Sequence, residues 1–479
     1  MSASTAVHPV VDGVRRSCAR DRSAAAVVDP DGTWSYGDVA DELDAAVRTL
    51  RGAGVSPGHV VSVRAARDRR LPVALLAVWQ VGATAAIVDA SLPAARVEEC
   101  EQVAGPRWVL TLDPFALTPA GRPADRPGAS HILFTSGTTG CPAAVEVGPG
   151  ALGRTLDWYA GAFAIGTADR VGFLSGLGHD PMLRDTLVPL LSGGVLAVPP
   201  PDVFSGPDRL LSFIGSAGLT VLHCTPGLLE LVLAAHAAGG GGGLEGLRLV
   251  VSGGATLSLG TVRRLRAVSG ATVVNAYGCT ETPQIASCQV VSRDDAGVPD
   301  DTPAGIGAGV GGAELLLSEP DGEIVVRSQD LATGYLAGTG AEDRFRPDPL
   351  GVPGFRAYRT GDLGRRGHDG SIRVVGRLDR QLSVHGHRVA PEEIERAALR
   401  HPAVVQAVVE AVVQAVAGPV SAGGDLVGLT VVLTSPGATD ARALRGFLRE
   451  RLPRPAVPTR VRIVAELALS HNHKVNRRQ

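Results

Sequence analysis

Apolar strand-like runs alternate with Ala/Leu/Arg-rich stretches of helical spacing over most of this chain's 479 residues, and no other feature restricts its fold as much. Short continuous apolar runs suit strands buried on both faces, and amphipathic helices can cover those faces, which predicts an α/β architecture. Val39, Leu43, Ala46, Val47 and Leu50 mark one face of a helix over Asp38–Leu50, ended by Gly52. Val60–Val63, Ala85–Val88 and His131–Phe134 read as buried strands. The longest apolar stretch, Leu71–Val88, is broken by Pro72, Gln80 and Gly82, so a buried helix running into a strand fits better than a membrane span. Asp113–Gly128, rich in proline and alanine, reads as a loop or subdomain linker, and the five glycines Gly239–Gly243 as a flexible surface loop.

Composition shifts near Gly376, where a short basic stretch precedes a helix over Pro391–Arg400. The residues from there to Gln479 suffice for a small α+β domain. Within them, Val404–Val413 carries valine pairs at helical spacing, but its β-branched density favours a strand. The expected organisation is a large multi-subdomain α/β domain over 1–376 followed by a small α+β domain over 377–479.

Lys+Arg 46 against Asp+Glu 48 leaves a net charge of −2 with no long basic run, which disfavours nucleic-acid binding. Six cysteines without a C-x-x-C pair argue against zinc or a disulfide framework and for free thiols in a reducing compartment. The N-terminus lacks the order of a signal peptide, so a cytoplasmic location is expected. Of the 46 basic residues one is lysine, Lys474, and the other 45 are arginine. Coding bias explains the arginines; it makes the surviving lysine, a compact ammonium, a candidate for chemistry.

Phe134-Thr-Ser-Gly-Thr-Thr-Gly140 directly follows an apolar strand. Its glycines let the backbone approach an anion, and its hydroxyls and N–H groups can wrap phosphate oxygens. Cys141-Pro142 replaces the Lys-Ser/Thr that a Walker A loop needs, and alone such a loop is ordinary turn chemistry. Four further fragments follow in order. Asn275-Ala-Tyr-Gly-Cys-Thr-Glu281 offers an aromatic face, a hydroxyl and a carboxylate. Tyr358-Arg-Thr-Gly-Asp362 puts an acid on a tight turn, Gly376-Arg-Leu-Asp379 adds a cation and an acid, and Asn472-His-Lys474 supplies the lysine.

Five fragments in this order resemble the adenylate-forming superfamily, and most closely an amino-acid adenylation domain of nonribosomal peptide synthetase type. Trp34-Ser-Tyr36, Gly82–Asp89 with Leu92-Pro93 and Arg96, Gly322-Glu-Ile324 with Gly334-Tyr-Leu336, and Leu452-Pro453 with Val457-Pro458 extend the likeness nearly end to end. The resemblance implies a mobile C-terminal domain hinged near Asp379. It implies that Thr135, Ser136, Gly137, Thr138, Thr139 and Gly140 hold the β- and γ-phosphates of ATP. Gly253, Gly254 and Ala255, with Asn275, Ala276, Tyr277 and Gly278, would form the adenine slot; Thr280 would contact the α-phosphate and Glu281 ligate Mg²⁺. Asp362 and Arg377 would bind ribose, and Lys474 would offset the charge of a carboxylate attacking ATP.

Three departures stand out. The loop continues Pro142-Ala143-Ala144 where relatives carry a lysine, which implies weaker pyrophosphate handling that a lysine restored at 143 would improve. Cys279 replaces a proline without expected consequence, and His179 replaces a phenylalanine usual in amino-acid-activating members.

Asp180 matches the aspartate that meets a substrate amino group; the alternative is an N-cap for the helix starting near Pro181. In the same register Pro181, Arg184, His223, Val251, Gly253, Ala276, Gln284 and Ile285 would line the pocket. Arg184 either pairs with Asp180 or Asp185, or receives a second substrate carboxylate with help from His223. The chain stops five residues after Lys474, so the acyl acceptor is expected to be a discrete carrier protein's phosphopantetheine thiol, with Gly386 lining its path after domain rotation. The rival readings are an acyl- or aryl-CoA ligase, favoured by His179, and a degenerate nucleotide-binding partner of a synthetase, favoured by the missing loop lysine.

Overall fold

The computed structural model describes residues 8–122, 124–136, 142–239, 242–282, 284–293, 298–336, 342–367, 370–378, 382–384, 387–412, 426–435 and 437–464. Among these, the N-terminal portion is built on two large sheets. The nine-stranded sheet runs in the order Ala308–Gly309, Ser287–Val290, Thr272–Tyr277, Leu249–Gly253, Val221–Cys224, Arg170–Gly172, Val195–Ala197, Ala25–Asp29 and Gly32–Ser35. Its centre, from Thr272–Tyr277 to Ala25–Asp29, is parallel, as expected for strands that are apolar on both faces.

The seven-stranded sheet runs Gly334–Tyr335, Pro142–Val147, His131–Ser136, Thr84–Asp89, Val60–Ala65, Trp108–Leu112 and Phe115–Pro119. Between the two sheets lies one apolar core, with the helices Tyr36–Gly52, Arg70–Gln80 and Pro181–Ser192 contributing Leu43, Leu50, Leu71, Leu75, Leu76, Leu183 and Leu187. Ser35 caps the first of these helices in a capping box with Asp38, which explains why it begins at Tyr36. The stretch Leu71–Val88 folds as a buried helix followed by the strand Thr84–Asp89, and none of the described helices is long and apolar enough to cross a membrane.

One expectation needs correction. Asp113–Gly128 is not wholly a loop, because Phe115–Pro119 pairs antiparallel with Trp108–Leu112 at the sheet edge. An edge strand tolerates the proline that argued against one, since a missing N–H there faces no partner.

A smaller sheet, containing Glu323–Ser328, Arg356–Arg366 and Ile372–Arg377, leads to the C-terminal region. There Val404–Val412, Leu426–Leu433 and Arg460–Val464 form a three-stranded sheet with the helices Pro391–Leu399 and Ala441–Arg449, an α+β unit with its own core around Ile394, Val431, Leu444 and Leu448. The valine-rich segment is thus a strand. The glycine loop has exposed Gly239 and Gly242, and 240–241 lie outside the described residues.

Candidate active site

The carboxyl ends of the parallel strands carry the candidate residues, where open α/β sheets place their ligands. His131–Ser136 and Pro142–Val147 pair antiparallel, with Ser136 opposite Pro142, so the candidate phosphate loop closes between adjacent strand ends. Thr135 is described there, as is the backbone of Ser136; Gly137, Thr138, Thr139 and Gly140 lie outside the described residues. Ala143 stands opposite Thr135 and is 3% exposed. The expected benefit of a lysine at 143 therefore does not fit: its side chain would start inside packed structure, where an ammonium is costly.

Gly253 is paired with Ala276, and a Cβ on it would stand 2.7 Å from the Ala276 oxygen. Gly254 has a φ of +80°, the left-handed region that favours glycine. Together they let the end of Leu249–Gly253 pack tightly against the strand that ends at Tyr277 and turn away from it. Asn275 is anchored elsewhere: its Nδ2 donates to the carbonyls of Ala304 and Gly305 at 3.2 and 2.9 Å. It orders the strand end beside the slot.

Tyr277 donates its hydroxyl hydrogen to Asp362 Oδ2 at 2.7 Å, and Arg377 Nη1 holds the other carboxylate oxygen. Asp362 and Arg377 face each other across antiparallel strands, which explains the pairing from register alone. Burial and the neighbouring Asp362 charge push the Tyr277 phenol well above its ordinary value, so it stays a donor. An oriented, nearly buried carboxylate next to an aromatic slot suits a pair of ribose hydroxyls.

Glu281 is 4% exposed and accepts the Tyr335 hydroxyl at 2.6 Å; Tyr335 also meets the Tyr358 hydroxyl at 3.0 Å. Thr280 is buried next to it. Tyr335 comes from the Gly334-Tyr-Leu336 motif, whose positioning role the sequence did not disclose. Among the described residues no group of three or more His, Cys, Asp or Glu could hold a metal alone. A single oriented carboxylate still fits Mg²⁺, which commonly takes one or two carboxylates plus substrate phosphates.

Asp180 begins the helix Pro181–Ser192, yet its side chain does not cap it. Its Oδ2 instead accepts from the Gln284 backbone N–H at 2.7 Å, while Gln284 Nε2 donates to the Asp180 carbonyl at the same distance. Gln284 adopts a φ of +68°, uncommon for a residue with a side chain and a strain that its two bonds to Asp180 help to hold. Ile285 and Val251 are buried beside it, with Pro181 and Ala276 half-buried. His179, one residue earlier, meets His387 with Nε2 2.6 Å from its Nδ1.

Arg184 is 6% exposed and pairs with neither Asp180 nor Asp185. Its guanidinium lies 5.4 Å over the Tyr159 ring, and its buried Nε has no hydrogen-bond partner. Asp185 is spent on the Leu174 and Ser175 N–H groups and on His223 Nδ1. His223 Nε2 in turn lies 2.6 Å from the Tyr159 hydroxyl. A carboxylate only accepts, so Nδ1 carries the hydrogen, and a neutral ring then accepts the tyrosine hydrogen at Nε2. Burial, then the Arg184 charge, push the His223 pKa down, which keeps it neutral. Both ring nitrogens are committed, so His223 does not help Arg184 read a substrate carboxylate as expected. Sequence reasoning missed Tyr159 and considered Asp185 only as a partner for Arg184, not for His223. It also missed Arg67, whose Nη2 donates to the Leu174 and Ser175 carbonyls and braces the loop before Asp180. Lys474, Asp379 and Gly386 lie outside the described residues.

Comparison with known proteins gives a consistent result. Sequence models for "AMP-binding enzyme" match residues 14–129 and 118–336, and for "AMP-binding enzyme C-terminal domain" residues 393–474. Phenyloxazoline synthase MbtB of Mycobacterium sp. (strain MCS) is 32% identical over 519 residues, covering 98% of this chain and 41% of that protein. A dimodular nonribosomal peptide synthase of Bacillus subtilis (strain 168) is 29% identical over 504 residues, covering 95% of this chain and 21% of that protein. The chain thus spans less than half the length of these curated relatives. Among solved structures, holo-PA1221, an NRPS protein containing adenylation and PCP domains, superposes with a TM-score of 0.80 at 26% identity, covering 99% of this chain and 84% of that one.

Proposed function

Because the chain belongs to the family of AMP-binding enzymes and is an adenylate-forming ligase, we propose that the carboxylate it activates is that of an amino acid. In this reading the substrate carboxylate attacks the α-phosphorus of ATP, the bond to the β-phosphate oxygen breaks, and aminoacyl-AMP and pyrophosphate form. The thiol of a carrier protein's phosphopantetheine then attacks the acyl carbon and AMP leaves. Tyr277, Gly253 and Gly254 would receive adenine; Asp362, oriented by Arg377, the ribose; Thr135–Gly140 the phosphates. Glu281, with Thr280 at the α-phosphate, would hold Mg²⁺, which supplies charge neutralisation on the phosphates. Lys474, carried in on the C-terminal unit, would stabilise the charge that two approaching anions create.

The observation that carries the amino-acid reading is Asp180: a 7% exposed carboxylate that does not cap the helix it begins and whose Oδ2 is oriented by the Gln284 N–H at 2.7 Å. A substrate ammonium is a group that such an oriented, nearly buried carboxylate suits, because a charge-assisted hydrogen bond to a carboxylate is among the stronger ones. Arg184 extends the reading to a second substrate carboxylate, since a buried guanidinium with no acid partner among the described residues is costly. Aspartate-, glutamate- or β-amino-diacid-like substrates meet both requirements. Asp180→Asn is the test: amino-acid-dependent ATP–pyrophosphate exchange should fall about hundredfold through KM for the amino acid, with KM for ATP unchanged. Free coenzyme A supplied against a holo-carrier in the second step separates this reading from a CoA ligase.

A further inference from the structure

The helix Ala94–Ala104 of the N-terminal portion carries Arg96 and Glu99, and the C-terminal helix Pro391–Leu399 carries Glu393, with Arg400 just after its end. Arg96 Nη2 lies 2.6 Å from Glu393 Oε1 in a pair 6% and 4% exposed. The contact is a charge pair rather than an aligned hydrogen bond, since that oxygen has no hydrogen-bond partner. Glu99 accepts from Arg96 at 3.0 Å and from Arg400 at 3.2 Å, extending the pair into a chain of four charges across the two units. Burial and the neighbouring acid Glu99 push the Glu393 carboxyl up while Arg96 pulls it down, so its ionised form depends on Arg96 staying in place. On the same face, His387 of the C-terminal unit reaches His179, the residue before Asp180.

We propose that the Arg96–Glu393 pair is an interdomain latch that holds the C-terminal unit over the substrate pocket for transfer of the acyl group to the carrier thiol. The inference rests on the two-step reading above. One site must bind ATP and release pyrophosphate, then admit a thiol to the same acyl carbon. In the latched arrangement His387, the first residue of the strand His387–Val389, lies against His179 beside Asp180, and Gly386, the candidate for the thiol path, precedes it in sequence. A buried pair of this kind is close to neutral against water as a whole, because both charges are rehydrated on separation. Loss of one partner is different: without Arg96 the buried Glu393 charge is uncompensated only in the latched arrangement, and without Glu393 the buried Arg96 keeps Glu99 alone, so the equilibrium moves away from it. Such a latch is firm when closed and still releasable. Arg96 and Glu393 are positioning residues and touch no reacting atom.

Three variants of the full chain test this: Arg96→Met, Glu393→Gln and the double substitution. Each single variant should load a holo-carrier about tenfold more slowly while amino-acid-dependent pyrophosphate exchange keeps its rate. The double variant, which strands no charge, should recover most of the loading rate. Small-angle X-ray scattering reads the same equilibrium without activity: the single variants should show a larger radius of gyration than the parent and the double variant a return toward it. Equal losses in both steps, unchanged loading, additive losses in the double variant, or a radius of gyration unmoved by the single variants would each overturn the latch. Absence of exchange in the parent protein would instead refute the two-step reading, and scattering would still report on the latch.

Discussion

His223 donates through Nδ1 to Asp185 at 2.7 Å, deep in the core below the candidate pocket. That bond decides how Arg184 is to be understood. It spends the nearest acid on a neutral ring, which in turn accepts the hydroxyl of the tyrosine beneath the guanidinium. Arg184 is left a buried cation with no acid partner among the described residues, on the helix that the acid Asp180 begins, a charge pattern opposite to that of an amino acid bearing a second carboxylate.

Arg184→Met should therefore change selectivity more than stability. The acidic substrate should lose about ten- to hundredfold in kcat/KM, as expected for losing a charged hydrogen bond, and its amide analogue should lose far less. Thermal unfolding should shift little, because the variant replaces a cation lacking an acid partner by an apolar chain of similar length. A panel of amino acids in the exchange assay checks this; neutral substrates ranking first in both proteins would make Arg184 structural.

Lys474→Ala should abolish most adenylate formation while the fold stays intact, since an oriented cation at developing charge contributes about a hundredfold or more. Exchange kinetics together with circular dichroism separate lost chemistry from lost structure. Near-normal exchange would remove Lys474 from the reaction.

Ala143→Lys should not repair the departure in the phosphate loop. With Ala143 3% exposed opposite Thr135, the longer side chain should cost about 1–3 kcal/mol of stability and leave KM for ATP unimproved. Denaturant unfolding and ATP titration of the variant measure both.

His8 and His131 bracket the Ser130 hydroxyl at 3.0 and 3.1 Å, and burial lowers each pKa from 6.5 to about 3. Below pH 6.5 the unfolded chain takes up protons at these rings that the folded chain refuses, so stability falls as pH drops toward 3. At pH 5 each ring should cost about 2 kcal/mol relative to pH 7. Urea unfolding at pH 7 and pH 5 measures the loss, and His8→Asn, which preserves the helix cap, should remove about half of it. An unchanged pH slope in that variant would mean that carboxylates, not these rings, set the acid sensitivity.

The sequence disclosed what is local. Glycine placement, the Tyr277 and Asp362 fragments and the alternation of apolar runs are consequences of short-range chemistry, and each could be read from a few neighbouring residues. What stayed hidden depends on partners far apart in the chain. Nothing near Asp185 says that it binds His223, 38 residues on, rather than Arg184 beside it. Tyr335 reaches Glu281 from another sheet, and Arg96 meets Glu393 from another domain. Phe115–Pro119 was masked by composition, because proline and alanine at a sheet edge look like a loop.

Comparing amino acids with their des-amino counterparts in ATP–pyrophosphate exchange decides whether Asp180 receives a substrate ammonium. An amino acid bearing a second carboxylate should support exchange, and the same diacid lacking the amino group should give none above background. Exchange that is equal or stronger with a des-amino or aryl acid would contradict that role.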